Sequence, residues 1–230
     1  MKKTIQRVLA AVILFAMILS GGFSEVGKVH AEKQQGTTKR AIYVVFDNSG
    51  SMYGDGNKAW SQATYAMEVF AAMMNYESGD VMKVFPMHDI TTDGNTGSAT
   101  KSSMEIRGKD DIAQIHNMYT PKPGGTPYTQ VNNAAGELTK LLNAGSVDEG
   151  WLVVLTDGDF DNDIPASGLK ADLEGKAAAN ENLYVQYLAI GTDVKNIPEG
   201  NADKGLYAQK AGNTSEVVNE LAEISNRIFK

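Results

Sequence analysis

The segment IYVVFDNSGSMYGDG, residues 42–56, changes character at Asp47, where a run of apolar residues gives way to Asp, Asn, Ser and Gly. A continuous apolar run of this length is typical of a strand buried on both faces of a parallel sheet. Asp47, Ser49 and Ser51 then stand at alternate positions, and Gly50 allows the backbone to bend between them. An acid and two hydroxyls directly after a buried strand indicate a ligand site rather than an ordinary turn.

Outward from this segment, the chain alternates between strand and helix patterns. Apolar runs predict strands at 41–46, 81–86, 151–156, 183–190 and 206–209. Spacings of three and four residues between apolar side chains predict helices, with a further short helix at 110–118. The inward positions of the three longer helices are Trp60, Ala63, Met67, Phe70 and Met74, then Val131, Ala134, Leu138 and Leu141, and finally Val217, Leu221, Ile224 and Ile228. Helices therefore alternate with strands along most of the chain, which is typical of a mostly parallel sheet.

One pair of strands breaks this alternation. The residues between the second strand and a further strand-like run at 102–107 are rich in turn formers and have no helical period. A parallel connection needs a crossover, usually a helix, so this pair is expected to form an antiparallel hairpin at a sheet edge. The whole pattern predicts an α/β, Rossmann-like fold with a mostly parallel central sheet of about six strands, one antiparallel edge hairpin and helices on both faces.

The first residues have the pattern of an export signal. Three basic residues precede an unbroken run of twelve apolar residues at 8–19. Such a run fits a signal peptide and is too short to span a bilayer comfortably. The small residues Val29 and Ala31 predict cleavage after Ala31, so that residues 1–31 form the signal peptide and the protein is secreted or held at the cell surface. The alternative is a membrane anchor formed by an uncleaved N-terminal helix.

Composition excludes several classes of function. Residues 32–38 are polar and aperiodic, which predicts a flexible linker before a single folded domain at 39–230. Without residues 1–31, the chain has 17 basic and 27 acidic residues and a net charge of −10, which argues against binding nucleic acid. There are no cysteines, and hence no disulfides or thiolate metal sites. With no second long apolar run, no membrane span is expected in the mature chain.

Three polar loops follow or face the strand ends of the predicted sheet. They are residues 47–51, residues 124–127 with the sequence GGTP, and residues 156–159 with the sequence TDGD. Ligands of open α/β sheets sit beyond the carboxyl ends of the strands, so these loops are expected to converge. Their carboxylates and hydroxyls are hard oxygen donors, and no His or Cys is near them in the sequence. This donor set suits Mg²⁺, Mn²⁺ or Ca²⁺ better than Zn²⁺.

Each of these residues also has a purely structural interpretation. Ser49 and Ser51 are common turn residues, Thr126 before a proline is a good helix N-cap, and Asp157 before a glycine can begin a turn. Taken one at a time, the structural interpretation is favoured. Taken together, a shared ligand site is the better explanation, because it replaces five independent coincidences.

This set of residues resembles the metal-ion-dependent adhesion site of von Willebrand factor type A domains. The matching positions, none of which departs from the motif, are Asp47, Ser49 and Ser51, then Thr126, and then Asp157 within a strand-terminal Thr-Asp-Gly. The resemblance implies that residues 39–230 form such a domain and that these five residues bind a divalent cation, usually Mg²⁺. It also implies a role in adhesion or protein interaction, with an Asp or Glu of the partner protein reaching the cation, and no enzymatic activity.

Further acidic residues surround the predicted site. Asp159, Asp161 and Asp163 lie in the third loop, and Asp55 follows the first. They predict a negative rim that favours a partner whose acidic residue is set among Lys or Arg residues, and the rim should act mainly on the association rate. The alternatives are an ordinary solvated loop or a second, weaker cation.

A second hypothesis of function makes the chain an enzyme. Asp157 and Asp159 form an Asp-x-Asp pair after a strand, as in metal-dependent phosphohydrolases of the haloacid dehalogenase type, with Asp157 as the reactive carboxylate. Phe160 and Asp161 break the continuation that such enzymes show, and a complete catalytic set is missing. The sequence therefore favours a binding domain over a hydrolase.

Overall fold

Six strands form one sheet in the computed structural model of the chain. They are β1 (Arg40–Phe46), β2 (Val81–Pro86), β3 (Met104–Ile106), β4 (Glu149–Thr156), β5 (Leu183–Ile190) and β6 (Leu206–Ala211), in the order β3-β2-β1-β4-β5-β6. All neighbouring strands are parallel except β3, which is antiparallel to β2. The prediction of a mostly parallel sheet with one antiparallel edge hairpin is confirmed.

The structure describes residues 38–87, 103–108, 111, 126–158, 160, 164–191, 194 and 196–229, with the backbone only at 54–58 and 166. All of them lie in one compact unit that runs from Thr38 to Lys230. The predicted signal peptide, the connection inside the edge hairpin and nearly all of the predicted helix at 110–118 lie outside the described residues. In the part of the chain that is described, no helix has both the length and the apolar character that crossing a bilayer requires.

Helices cover both faces of the sheet. They are α1 (Gly54–Met73), α2 (Thr129–Asn143), α3 (Ala166–Ala177) and α4 (Thr214–Ile228). Successive residues of β1 point to opposite faces, so Val44 packs in the core beneath α1 and α4 while Val45 packs in the core beneath α2 and α3. Both residues are fully buried. The sheet is thus enclosed in the way that its continuous apolar strands require.

The predicted inward positions of the helices are largely buried. Met67, Phe70 and Leu138 have no exposed surface, and Ile224 of the last helix is equally enclosed. Met74 lies one residue beyond the end of α1 and is still buried. The three longer helices were therefore predictable from the spacing of their apolar residues, because burial of one face stabilises each of them.

Helix α3 was not predicted from the sequence. It contains Gly168 and Gly175, which are poor helix formers, and it buries a narrow set of side chains at Leu169, Leu173 and Ala177. Its place in the fold agrees with topology, because the parallel strands β4 and β5 must be joined by a crossover and a crossover is usually a helix.

Strand β6 is longer than its apolar pattern indicates. Gln209 and Lys210 are exposed, so the pattern ends early, but the pairing with β5 continues to Ala211 opposite Ile190. Backbone hydrogen bonds of a sheet do not depend on the side chains, and they extend the strand past the last regularly spaced apolar residue.

Candidate metal centre

Asp47 is the innermost residue of the candidate site. Its backbone N–H donates to the carbonyl oxygen of Leu155 at 2.8 Å, so the pairing of β1 with β4 continues one residue beyond Phe46. This register sets Asp47 beside Thr156 at the carboxyl ends of two central strands. The Asp47 side chain is fully buried there.

Both carboxylate oxygens of Asp47 accept hydrogen bonds. Oδ1 accepts from the backbone N–H of Ser49 at 2.8 Å, and Oδ2 accepts from the hydroxyl of Thr156 at 2.8 Å. The hydroxyl of Thr126 approaches Oδ2 at 3.5 Å, which is too long for a strong hydrogen bond. Three separate loops therefore meet at this one carboxylate.

The two serines lie on a path from the interior to the surface. Their hydroxyl oxygens are 2.9 Å apart, with Ser49 buried and Ser51 exposed. A short 3₁₀ turn, Gly50–Tyr53, begins between them and brings the two side chains together. The hydroxyl pair thus extends the oxygen-rich site from Asp47 toward solvent.

A second carboxylate lies close to Asp47. Asp157 follows β4 and is half-buried. Burial, together with the negative charge of Asp157, raises the pKa of Asp47 to about 6, although the hydrogen bonds from Ser49 and Thr156 act in the opposite direction. Within the described residues, no Lys, Arg or His forms an ion pair with Asp47. Among the described residues, the Asp47 carboxylate therefore lies beside a second negative charge and has no cationic side chain paired with it.

The five predicted ligand residues all belong to the described part of the chain. Asp47 contacts Ser49, and the hydroxyl of Thr126 approaches it. Ser49 in turn contacts Ser51. Asp157 acts on Asp47 through its negative charge. The rim is different. Asp159, Asp161 and Asp163 lie outside the described residues, and only the backbone of Asp55 is described, in the first turn of α1.

Thr156 has a role beyond those predicted from the sequence. Its hydroxyl donates to Asp47 and accepts from the backbone N–H of Gly158 at 3.0 Å. It thus joins the loop after β1 to the loop after β4. Its position at the end of an apolar strand, directly before Asp157, was a visible signal, but its contact with Asp47 depends on the register of two strands that are far apart in the sequence.

Two further residues reach the site from β5 and from the loop that follows it. The hydroxyl of Tyr187 donates to the backbone oxygen of Asn196 at 2.9 Å, and the Asn196 amide donates to the carbonyl oxygen of Gly158 at 2.7 Å. Burial, with the charges of Asp47 and Asp157, raises the pKa of Tyr187, which keeps its hydroxyl protonated as a donor. No local pattern in the sequence indicates the role of Asn196.

The residues present fit a hard divalent cation. A fully buried carboxylate with a raised pKa, a second carboxylate beside it and several hydroxyl oxygens form an oxygen-only donor set of the kind that Mg²⁺, Mn²⁺ and Ca²⁺ prefer. The described residues contain no cluster of three or more His, Asp or Glu side chains placed to hold a metal. A cation here would therefore depend on the hydroxyl groups as well as on the two acids.

No protein-family model matches the sequence, and no curated protein matches it. Several solved structures share the fold. A von Willebrand factor type A protein from Catenulispora acidiphila is 17% identical, with a TM-score of 0.55 over 82% of this chain and 42% of that one. The pilus adhesin SpaC from Lactobacillus rhamnosus GG is 15% identical, with a TM-score of 0.56 over 86% of this chain and 31% of that one.

A third structure, proximal thread matrix protein 1 from the mussel byssus, is 13% identical, with a TM-score of 0.51 over 84% of this chain and 46% of that one. This chain spans less than half the length of each of the three proteins. At these identities the likeness concerns the fold and does not extend to the activity of the larger proteins. The strand order, the helices on both faces and the likeness to these structures show that the chain has the von Willebrand factor type A fold.

Proposed function

We propose that the domain binds one divalent cation at the carboxyl ends of β1 and β4 and binds a partner protein through that cation. The observation that carries the proposal is the environment of Asp47. Its carboxylate is fully buried beside Asp157, and it has no cationic partner among the described residues. A buried charge without a counter-charge costs several kcal/mol, roughly, and a bound cation would offset that cost.

The proposed ligands divide into an inner and an outer group. Asp47, Ser49 and Thr126 are buried and would hold the cation from within, whereas Ser51 is exposed and Asp157 half-buried. With water completing about six ligands, Mg²⁺ is the expected ion, and Mn²⁺ or Ca²⁺ are alternatives. When bound, the cation would supply positive charge and an exchangeable coordination position for a ligand from the partner.

The proposed partner is a protein that offers an Asp or Glu carboxylate to this position. A carboxylate is the ligand that a hard cation accepts most readily from a protein surface. A role in adhesion or protein interaction is in keeping with the fold that this chain shares with the pilus adhesin. The acidic rim at Asp55, Asp159, Asp161 and Asp163 remains a prediction, and it would favour a partner with basic residues around its acid.

Titration of the chain with Mg²⁺ and Mn²⁺ in a calorimeter tests the cation site. One binding event per chain is expected, together with a higher unfolding temperature, because a ligand that binds only the native state stabilises it. The absence of both effects would contradict the proposal. Capture of partner proteins from the native cell surface should then succeed with Mg²⁺ and fail with a chelator, and capture that survives chelation would exclude the role of the cation.

We also propose that residues 1–31 direct export and are removed. The basic start, the apolar run and the small residues at Val29 and Ala31 support this proposal. N-terminal sequencing of the exported protein should find Glu32 as the first residue. Recovery of the chain from membranes with Met1 at its start would instead support the uncleaved anchor.

A further inference from the structure

We infer that Asn196, in the connection between β5 and β6, is a positioning residue of the proposed cation site. It is not itself a proposed ligand. Its side chain holds the backbone directly after Asp157, and through that backbone it sets the position of the Asp157 carboxylate. This inference rests on the proposed function, and it adds a fourth chain segment to the three loops that supply the ligands.

Gly158 is the point where Asn196 acts. The backbone N–H of Gly158 donates to Thr156 at 3.0 Å, and its carbonyl oxygen accepts from the Asn196 amide at 2.7 Å. The peptide groups on both sides of the Gly158 α-carbon are therefore held. Asp157 precedes this residue directly, so its backbone has little freedom to move while both hydrogen bonds are present.

The close approach of Asn196 depends on the glycine. Gly158 has a φ of 82°, which residues with a side chain rarely adopt. A β-carbon built at this position would lie 2.9 Å from the backbone oxygen and 3.0 Å from the backbone nitrogen of Asn196. The two segments are thus packed backbone against backbone, and the amide of Asn196 completes the contact.

Tyr187 fixes Asn196 to the sheet. It lies on β5, it is fully buried, and its hydroxyl donates to the backbone oxygen of Asn196 at 2.9 Å. A continuous series of hydrogen bonds therefore runs from the Asp47 carboxylate through Thr156 and Gly158 to Asn196 and Tyr187. The Asp47 carboxylate accepts one of these hydrogen bonds, and Asp157 is joined to the network through its peptide bond to Gly158.

Loss of the Asn196 amide should weaken cation binding without removing a ligand. Without the hydrogen bond from Asn196, the loop after β4 gains conformations in which Asp157 is misplaced. Binding must then order the loop, and the entropy lost in doing so weakens the affinity. The net value of one such hydrogen bond predicts a dissociation constant for Mg²⁺ that is about three- to tenfold higher in Asn196→Ala. The backbone oxygen that Tyr187 uses remains in this variant.

The experiment compares Asn196→Ala, Tyr187→Phe and the double variant with the wild-type chain. Ile197→Ala is the matched control, because Ile197 is the next residue and is 43% exposed. Calorimetry with Mg²⁺ gives the affinity, and denaturant unfolding in a chelator gives the stability without metal. The Tyr187→Phe change should weaken binding less than Asn196→Ala, and the double variant should be no weaker than Asn196→Ala, since both single changes act through one contact. Ile197→Ala should bind as the wild type does.

Amide hydrogen exchange at Gly158 in the metal-free chain provides a readout that does not depend on the cation. Exchange should be faster in Asn196→Ala and unchanged in Ile197→Ala. An Asn196→Ala chain that is less stable but keeps wild-type Mg²⁺ affinity would overturn the inference, as would unchanged exchange at Gly158. If the wild-type chain binds no cation, the proposed function itself is wrong. Faster exchange in Asn196→Ala would in that case mean that Asn196 only stabilises the loop after β4. If Asn196→Ala does not fold, wild-type Mg²⁺ affinity in Tyr187→Phe would overturn the inference.

Discussion

Replacement of Asp47 by alanine is expected to abolish cation binding, with the affinity for Mg²⁺ falling by more than about 100-fold. Asp47 is the fully buried carboxylate that the loop after β1, the end of β4 and the segment before α2 all approach. Removal of one partner from a buried charge pair costs about 3–5 kcal/mol, which corresponds to at least this loss. Ser49 and Ser51 would remain in place, but hydroxyl oxygens without this charge are weak ligands for a hard cation.

Calorimetry on Asp47→Ala measures this loss, and Asp203→Ala is a suitable control. Asp203 is exposed and lies just before β6. Because β6 is parallel to β5, Asp203 is at the amino ends of the strands, whereas the candidate site is at their carboxyl ends. The control variant should bind Mg²⁺ as the wild type does. Wild-type affinity in Asp47→Ala would remove Asp47 from the site and, with it, the main support for the proposed cation.

The contribution of Asp47 to the stability of the metal-free domain is expected to fall as the pH rises from about 4 to about 6. Burial and the charge of Asp157 raise the pKa of Asp47 from its ordinary value of 3.8 to about 6. Between these values the folded chain binds more protons than the unfolded chain, so the free energy of unfolding falls as the pH rises. A shift of this size corresponds to a loss of about 3 kcal/mol.

Denaturant unfolding in a chelator at several pH values, for the wild type and Asp47→Asn, isolates this contribution. Other groups act in the opposite direction: hydrogen bonds from Lys170, Lys204 and Asn201 lower the pKa of Glu174 to about 2. Such contributions are common to both chains and cancel in the difference between them. The stability advantage of Asp47→Asn should be near zero at pH 4 and grow to about 3 kcal/mol at pH 7.

Added Mg²⁺ should reverse this difference at pH 7. A cation at the proposed site would bind the ionised carboxylate and compete with the proton, so it should stabilise the wild type and leave Asp47→Asn nearly unchanged. Equal pH dependence of the two chains in the chelator would mean that Asp47 does not titrate with a raised pKa. The buried, uncompensated charge on which the proposed site depends would then be absent.

Much of the fold was predictable because burial leaves a local pattern in the sequence. The continuous apolar runs gave the bounds of β2 and β5 directly, and the turn-rich segment after β2 correctly predicted the antiparallel edge. Helix α3 was missed because its two glycines and few apolar residues leave a weak pattern. A helix can form with such a sequence when packing against a sheet supplies its stability.

The candidate site, like the fold, was predictable from the sequence only in part. The types of its residues and their places after strands β1 and β4 were visible in the sequence, since a polar residue that follows a buried strand stands out from its neighbours. The contacts were not visible. Thr156 bonds to Asp47 across 109 residues of sequence, and Asn196 bonds to Gly158 across 38.

By itself, the sequence determined the alternation of strands and helices, the hard-oxygen character of the three loops and the acidic balance of the chain. These properties belong to single residues and to their neighbours, so they can be recognised without a structure. Only the tertiary structure decided that Asp47 is fully buried beside Asp157, that Asn196 binds the backbone of Gly158 and that Tyr187 binds the backbone of Asn196. The physical reason is that strand register and backbone packing bring together residues that are far apart in the chain, and no local pattern specifies which residues will meet.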